Sequence, residues 1–299
     1  MKLALGCAAA LLLALAAPAA AAPRVVVTLK PLHSLVAAVM EGVGAPILLL
    51  PNATSPHTYA LRQSDTRALA DADIVLWVGP ALETFLAKPL ATIAARAEVI
   101  GLADAAGLSL LPLREAGANH THDRGDTRDM HFWLDIGNAR QVVTFVAATL
   151  AQRDAENTAR YTANALHVVE QLRALDAELA MLLAPVARQP FLTLHDGFQY
   201  LEARYALRGL GTLTVNPDRV PGAKGLAAMR AVIADSGVTC VFGEPQFAAA
   251  LGKALTEGTG ARLVVVDSLG VGVASGPAAY GATLRGLAQA FANCLGVSP

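Results

Sequence analysis

The stretch AENTARYTANALHVVEQLRALDAELAMLLA, residues 155–184, decides how the chain is organised. It holds no proline and no glycine, and Tyr161, Ala165, Val168, Leu172, Leu175, Leu179 and Leu182 recur at alternating steps of four and three. That spacing puts all seven on one face of a helix. Pro185 then stops it, because proline lacks the amide hydrogen and clashes with the preceding turn. At about 1.5 Å per residue the helix would be about 45 Å long, enough to act as a stiff connector along a pair of domains. A coiled coil would show a similar stripe, but one helix lying against two lobes explains it as well.

On both sides of the connector, short apolar runs rich in β-branched residues alternate with helical stretches. The runs are 25–28, 47–50, 74–78 and 98–100 before it, and 191–194, 211–215, 239–242 and 263–266 after it. Those after the connector are each bounded by Gly, Pro or Asp, and the alternation with helices favours parallel strands covered on both faces. The expectation is an α/β protein of two lobes, each with a mainly parallel four-stranded sheet flanked by helices. The first lobe is placed at 22–154, the connecting helix at 155–185 and the second lobe at 186–299.

Residues 1–21 read as a cleaved signal peptide: Lys2, an apolar run over 3–16, Pro18 and then small alanines. That run is shorter than the ~20 residues a membrane-spanning helix needs. Cys7 lies inside it and is read as removed with the signal. Cys240 and Cys294 then remain, and an even pair in an oxidising compartment is expected to form one disulfide. Lys plus Arg number 23 against 24 Asp plus Glu, so no basic surplus exists to attract nucleic acid or anionic lipid. The segment 112–130, PLREAGANHTHDRGDTRDM, mixes both charge signs without periodicity and reads as an exposed loop.

Seven histidines are present. Ligands of open α/β sheets bind beyond the carboxyl ends of strands, and three histidines stand there. His57 follows the 47–50 run in PNATSPHTYA, His131 ends the charged loop in MHFWLD, and His195 directly follows the 191–194 run in FLTLHDGF. Alone, each would be a hydrogen-bonded structural histidine; together, from equivalent places in two lobes, they suit Zn²⁺. Asp267 in VVVDSLG, just past an apolar strand, is the expected fourth ligand, with a turn-capping Asp267 and a water ligand as the alternative. His120 and His122 form a candidate low-affinity pair in the loop. His33 is expected to cap or line the site, and His167 to lie on the surface of the connector.

These residues resemble the zinc-specific solute-binding proteins of bacterial ATP-binding-cassette importers. The matching pieces run in order along nearly the whole mature chain: TLKPL, PHTYALRQSD, ADADIVLWVGPALE, HFWLD, LTLHDGF, CVFGEPQF and VVVDSLG. The resemblance implies two α/β lobes joined by one long helix, zinc held in the cleft by His57, His131 and His195, and a monomeric receptor in the periplasm. It also implies delivery of Zn²⁺ to the membrane subunit of the permease; a periplasmic zinc chaperone is a further candidate partner. Cys240 and Cys294 match a disulfide common in the zinc-specific members. Two features depart from the pattern. Pro56 stands where some relatives carry an acidic residue before the first ligand, and the charged loop is poorer in histidine than in many.

The nearest alternative is a manganese receptor, in which a carboxylate replaces the third histidine; hard oxygen donors suit Mn²⁺ and imidazole suits Zn²⁺, so His195 argues for zinc. A zinc hydrolase would need a base beside an open metal position, and the chain has no H-E-x-x-H, H-x-x-E-H or G-x-S-x-G. An exported adhesin that uses metal only for folding is a third reading; it would unfold without metal, whereas a receptor would stay folded.

Overall fold

In the computed structural model, residues 22–50, 55–57, 59–114, 127–214, 222–245 and 249–296 are described. The first sheet is built from β1 (Val25–Val27), β2 (Ile47–Leu48), β3 (Ile74–Trp77) and β4 (Glu98–Gly101), separated by α1 (Lys30–Val39), α2 (Gln63–Asp71) and α3 (Ala87–Thr92), with α4 (Leu102–Ala105) closing the unit. After α5 (Ile136–Arg153) and the connector α6 (Thr158–Leu183) comes the second sheet, β5 (Phe191–His195), β6 (Gly209–Thr214), β7 (Cys240–Gly243) and β8 (Arg262–Val265). Helices α7 (Gln199–Tyr205), α8 (Ala223–Ser236) and α9 (Ala249–Thr256) separate its strands, and α10 (Ala279–Leu295) follows. All eight expected strands are present.

Every strand pairing is parallel, and the two sheets have the same order, β2-β1-β3-β4 and β6-β5-β7-β8. Parallel strands covered on both faces cannot alternate polar and apolar residues. The run Val25–Val27 and the run Ile74–Trp77 are accordingly buried throughout. This strand order reverses direction beside its first strand, between β1 and β3 in one lobe and between β5 and β7 in the other, which opens a crevice at the carboxyl ends.

The connector is a 26-residue helix with short 3₁₀ turns at both ends, Ala155–Asn157 and Ala184–Val186. Its buried stripe is Tyr161, Ala165, Val168, Leu172, Leu175, Leu179 and Leu183. The last member is Leu183 rather than the expected Leu182, which is only partly buried. A repeat of 3.5 residues drifts by about 20° per heptad on a straight helix of 3.6, so a straight connector takes a step of four at its end.

The lobes share one core. Helix α1 is buried on every face because it packs against α5, α6 and α10, and one apolar cluster runs from β1 and β3 through these helices to Phe191, Phe242 and Phe291. Phe242 stacks on Phe291 at 3.9 Å between ring centroids, joining β7 to α10. Cys240 and Cys294 make the same connection covalently. A smaller cluster of Leu192, Leu194, Ile233, Val238, Val241 and Leu255 fills the outer face of the second sheet.

Candidate metal centre

Three segments of different origin converge at the carboxyl ends of the two sheets. His57 comes from the connection after β2, where its amide donates to Ser55 Oγ at 3.3 Å. His131 precedes the 3₁₀ turn Phe132–Leu134, which leads directly into α5. Asp135 fixes that junction by accepting the Asn138 amide at 2.7 Å as the helix N-cap. His195 is the last residue of β5, in register with Thr214, and so emerges at the crevice between β5 and β7.

One ligand atom from each of His57, His131 and His195 lies within 4.8 Å of the others. The ring centroids are 6.0 Å apart for His57 and His131, 5.5 Å for His57 and His195, and 4.9 Å for His131 and His195. Tetrahedral Zn²⁺ with Zn–N of about 2.0–2.1 Å needs nitrogens about 3.4 Å apart, so the imidazoles must close by no more than about 1.4 Å. His131 Nε2 is buried with no hydrogen-bond partner, an arrangement that costs free energy unless a metal uses the lone pair. Trp133, fully buried, lies 5.3 Å from the His131 ring and shields it from water.

Two carboxylates complete the arrangement, and both went unassigned in the sequence. Asp129 Oδ1 receives His131 Nδ1 at 2.7 Å and the His131 amide at 2.9 Å. Glu244 Oε2 lies 2.8 Å from His195 Nδ1, and Ser268 Oγ donates to Glu244 Oε1. A carboxylate on Nδ1 leaves Nε2 to face the metal and holds the ring in place. Burial works against the charged form of His131, but the Asp129 charge and hydrogen bond outweigh it and raise its pKa. Burial likewise pushes the Glu244 carboxyl up, while the hydrogen bond and charge of His195 and the Ser268 hydroxyl bring it below the ordinary value. A signal for Glu244 was available: it immediately follows β7, across the crevice from His195. For Asp129 it was masked by the charged loop, whose ends are in fact structured. The Leu113 amide donates to Thr127 O at 2.7 Å and the Asp129 amide to Leu111 O at 2.8 Å, which buries Asp129 rather than exposing it. Gly197 was missed as well: a Cβ there would lie 3.0 Å from His195 Cε1 and Nδ1, so any side chain at this position would press on the ring.

Asp267, expected as the fourth ligand, does not belong to the three-histidine group. Its carboxylate accepts the Gly272 amide at 2.9 Å and the Leu269 amide at 3.3 Å, the turn-capping alternative. His33 is not one of the three clustered histidines: it is buried in α1 with Nε2 3.0 Å from Pro46 O, and burial lowers its pKa. His167 is exposed on α6, 2.9 Å from Gln171. His120, His122 and the expected signal peptide lie outside the described residues.

The sequence profile of the family described as "ZnuA: Zinc-uptake complex component A periplasmic" matches residues 25–294. The chain belongs to this family. A high-affinity zinc uptake system protein ZnuA of Brucella abortus is 39% identical over 304 residues, covering 91% of both chains. The protein of the same name from Yersinia pestis is 33% identical over 293 residues, covering 92% of both. A crystal structure of ZnuA superimposes with a TM-score of 0.78 over 92% of this chain and 99% of that one; at 24% identity it attests the fold. Members of the ZnuA family are periplasmic solute-binding components of zinc uptake, not enzymes, and no helix among the described residues is long and apolar enough to cross a membrane.

Proposed function

We propose that the protein captures Zn²⁺ with His57, His131 and His195, a water molecule filling the fourth position, and surrenders it to the membrane permease of an ATP-binding-cassette zinc importer. Membership of the zinc-uptake family makes it the periplasmic zinc-binding component of such a system. The observation that carries the ligand assignment is the convergence of three imidazoles from three separate segments, His131 presenting a buried Nε2 without a protein partner. Neutral nitrogen donors favour Zn²⁺ over Mn²⁺. With Asp267 engaged by two turn amides, a manganese-type set containing an oxygen ligand is not favoured. We further propose export through a cleaved signal peptide at 1–21, action as a monomer, and loading either from free metal or by a periplasmic chaperone.

Competition titration of Zn²⁺ and Mn²⁺ against wild type and His57→Ala, His131→Ala and His195→Ala tests the reading. Structural zinc sites with four ligands bind with about 10–16 kcal/mol, so each imidazole is worth about 3 kcal/mol, or more than about 100-fold in affinity. Zinc affinity unchanged in any of the three variants would remove that residue from the site.

A further inference from the structure

Between the two buried histidines runs a hydrogen-bonded path that crosses from lobe to lobe and passes through one small residue. Ser268 follows β8 and is 2% exposed. Its hydroxyl donates to Glu244 Oε1, and the other oxygen of Glu244 holds His195 Nδ1 at 2.8 Å. Its carbonyl receives the indole N–H of Trp133 at 3.0 Å, and Trp133 sits two residues after His131 in the same turn. The Trp133 carbonyl in turn accepts the Tyr280 hydroxyl at 2.7 Å, and the Tyr280 amide donates to Ser34 Oγ at 2.8 Å in the buried α1. Ser34 donates onward to Gly276 O at 2.8 Å, in the same β8–α10 connection that carries Ser268. Strand register explains the meeting. Leu192 and Thr193 of β5 pair with β7, and Gly243 of β7 pairs with Val265, so His195, Glu244 and the residues after β8 emerge side by side.

We propose that Ser268 is the positioning residue that sets the mutual placement of His131 and His195 for zinc, its hydroxyl acting through Glu244 and its carbonyl through Trp133. The proposal rests on the assignment of these histidines as ligands. Seryl hydroxyls satisfy buried carboxylates in many cores. Here, however, both hydrogen-bonding ends of one residue terminate on a segment that bears a candidate ligand. Partners of this kind typically carry about 10- to 100-fold in metal affinity.

The test uses the full mature protein with Zn²⁺ and Co²⁺ as probes. Ser268→Ala removes the hydroxyl and keeps the carbonyl. Zinc affinity by competition titration is expected to fall about tenfold, with faster release to a chelator. The visible absorption of the Co²⁺ form, which reports ligand geometry and not stability, should shift. In a Glu244→Gln background the same change should add little, because both substitutions act on one path. Trp133→Phe removes the donor to the carbonyl. It should also weaken zinc binding and shift the Co²⁺ spectrum, which keeps the proposal testable if Ser268→Ala fails to fold. Wild-type zinc affinity and an unchanged Co²⁺ spectrum in Ser268→Ala, or in Trp133→Phe if the former does not fold, would overturn the proposal, provided His195→Ala has lost tight binding. Wild-type binding by His195→Ala would instead overturn the ligand assignment.

Discussion

Glu83 offers a quantitative check on the buried electrostatics of the first lobe. It lies in the connection that follows β3, whereas Glu244 directly follows β7, and both are almost fully buried. Glu244 faces an imidazole and is held below its ordinary pKa, whereas Glu83 Oε2 accepts the neutral Val78 amide at 2.6 Å and burial pushes its carboxyl from 4.5 up to about 7. A carboxyl raised on folding holds a proton that the unfolded chain has lost, so stability declines as pH rises from about 4.5 to about 7 and is level above. At about 1.4 kcal/mol per pH unit, the full loss is about 3 kcal/mol. Glu83→Gln keeps an oxygen for the Val78 amide and cannot ionise. Relative to wild type it should therefore gain about 2.5 kcal/mol between about pH 5 and about pH 8. Urea unfolding of the metal-free, disulfide-intact proteins at several pH values measures the difference. Two stability profiles that run parallel across this range would refute the reasoning.

Zinc affinity should rise with pH by about tenfold per unit for each proton displaced, and level off only above the pKa that Asp129 raises at His131. Asp129→Asn should move that acid limb to lower pH and lower the plateau by about 10-fold or more, both read by competition titration. Asp267→Ala should leave zinc affinity within about threefold of wild type while destabilising the fold by about 1–2 kcal/mol through loss of the turn cap, read by titration and urea unfolding. Replacing Cys240 and Cys294 by serine opens a loop with a sequence separation of 54, worth about 4 kcal/mol on the chain-entropy model, and should lower the urea midpoint without changing zinc affinity.

The elements most legible in the sequence were those whose pattern is local. Eight β-rich runs between helical stretches gave both sheets, and the stripe from Tyr161 to Leu179 gave the connector, because periodicity reports directly which face is buried. The three histidines could be selected by a rule about strand ends, which needs only the order of elements. What could not be read was pairing at long range. Asp129 lay in a segment of mixed charge, and its burial depends on the pairing of Leu111 and Leu113 with residues beyond the loop. Ser268 looks like any polar residue after a strand until the register of β7 and β8 puts it beside Glu244. Asp267 satisfied the strand-end rule as well as His195 did, yet the turn at 269–272 takes up its carboxylate. A strand end puts a side chain near a crevice; the turn that follows decides where its polar atoms go.

The placement of Asp129 and Glu244 bears on how the proposed set of three imidazoles and a water would hold a divalent ion. Three neutral imidazoles supply no charge, and a bare dication in a site walled by Trp133 would be expensive to desolvate. A carboxylate ligand would offset that cost but would also add the hard oxygen donor that suits Mn²⁺. Here the two negative charges stand one imidazole away, on His131 Nδ1 and His195 Nδ1. In the proposed site they would match the charge of Zn²⁺ without entering its coordination. Asp129 also favours the protonated form of His131. Charge balance and donor identity are thereby set by different residues. On the proposed ligand assignment, this separation would let the chain keep carboxylates at its strand ends while presenting only nitrogen to the ion.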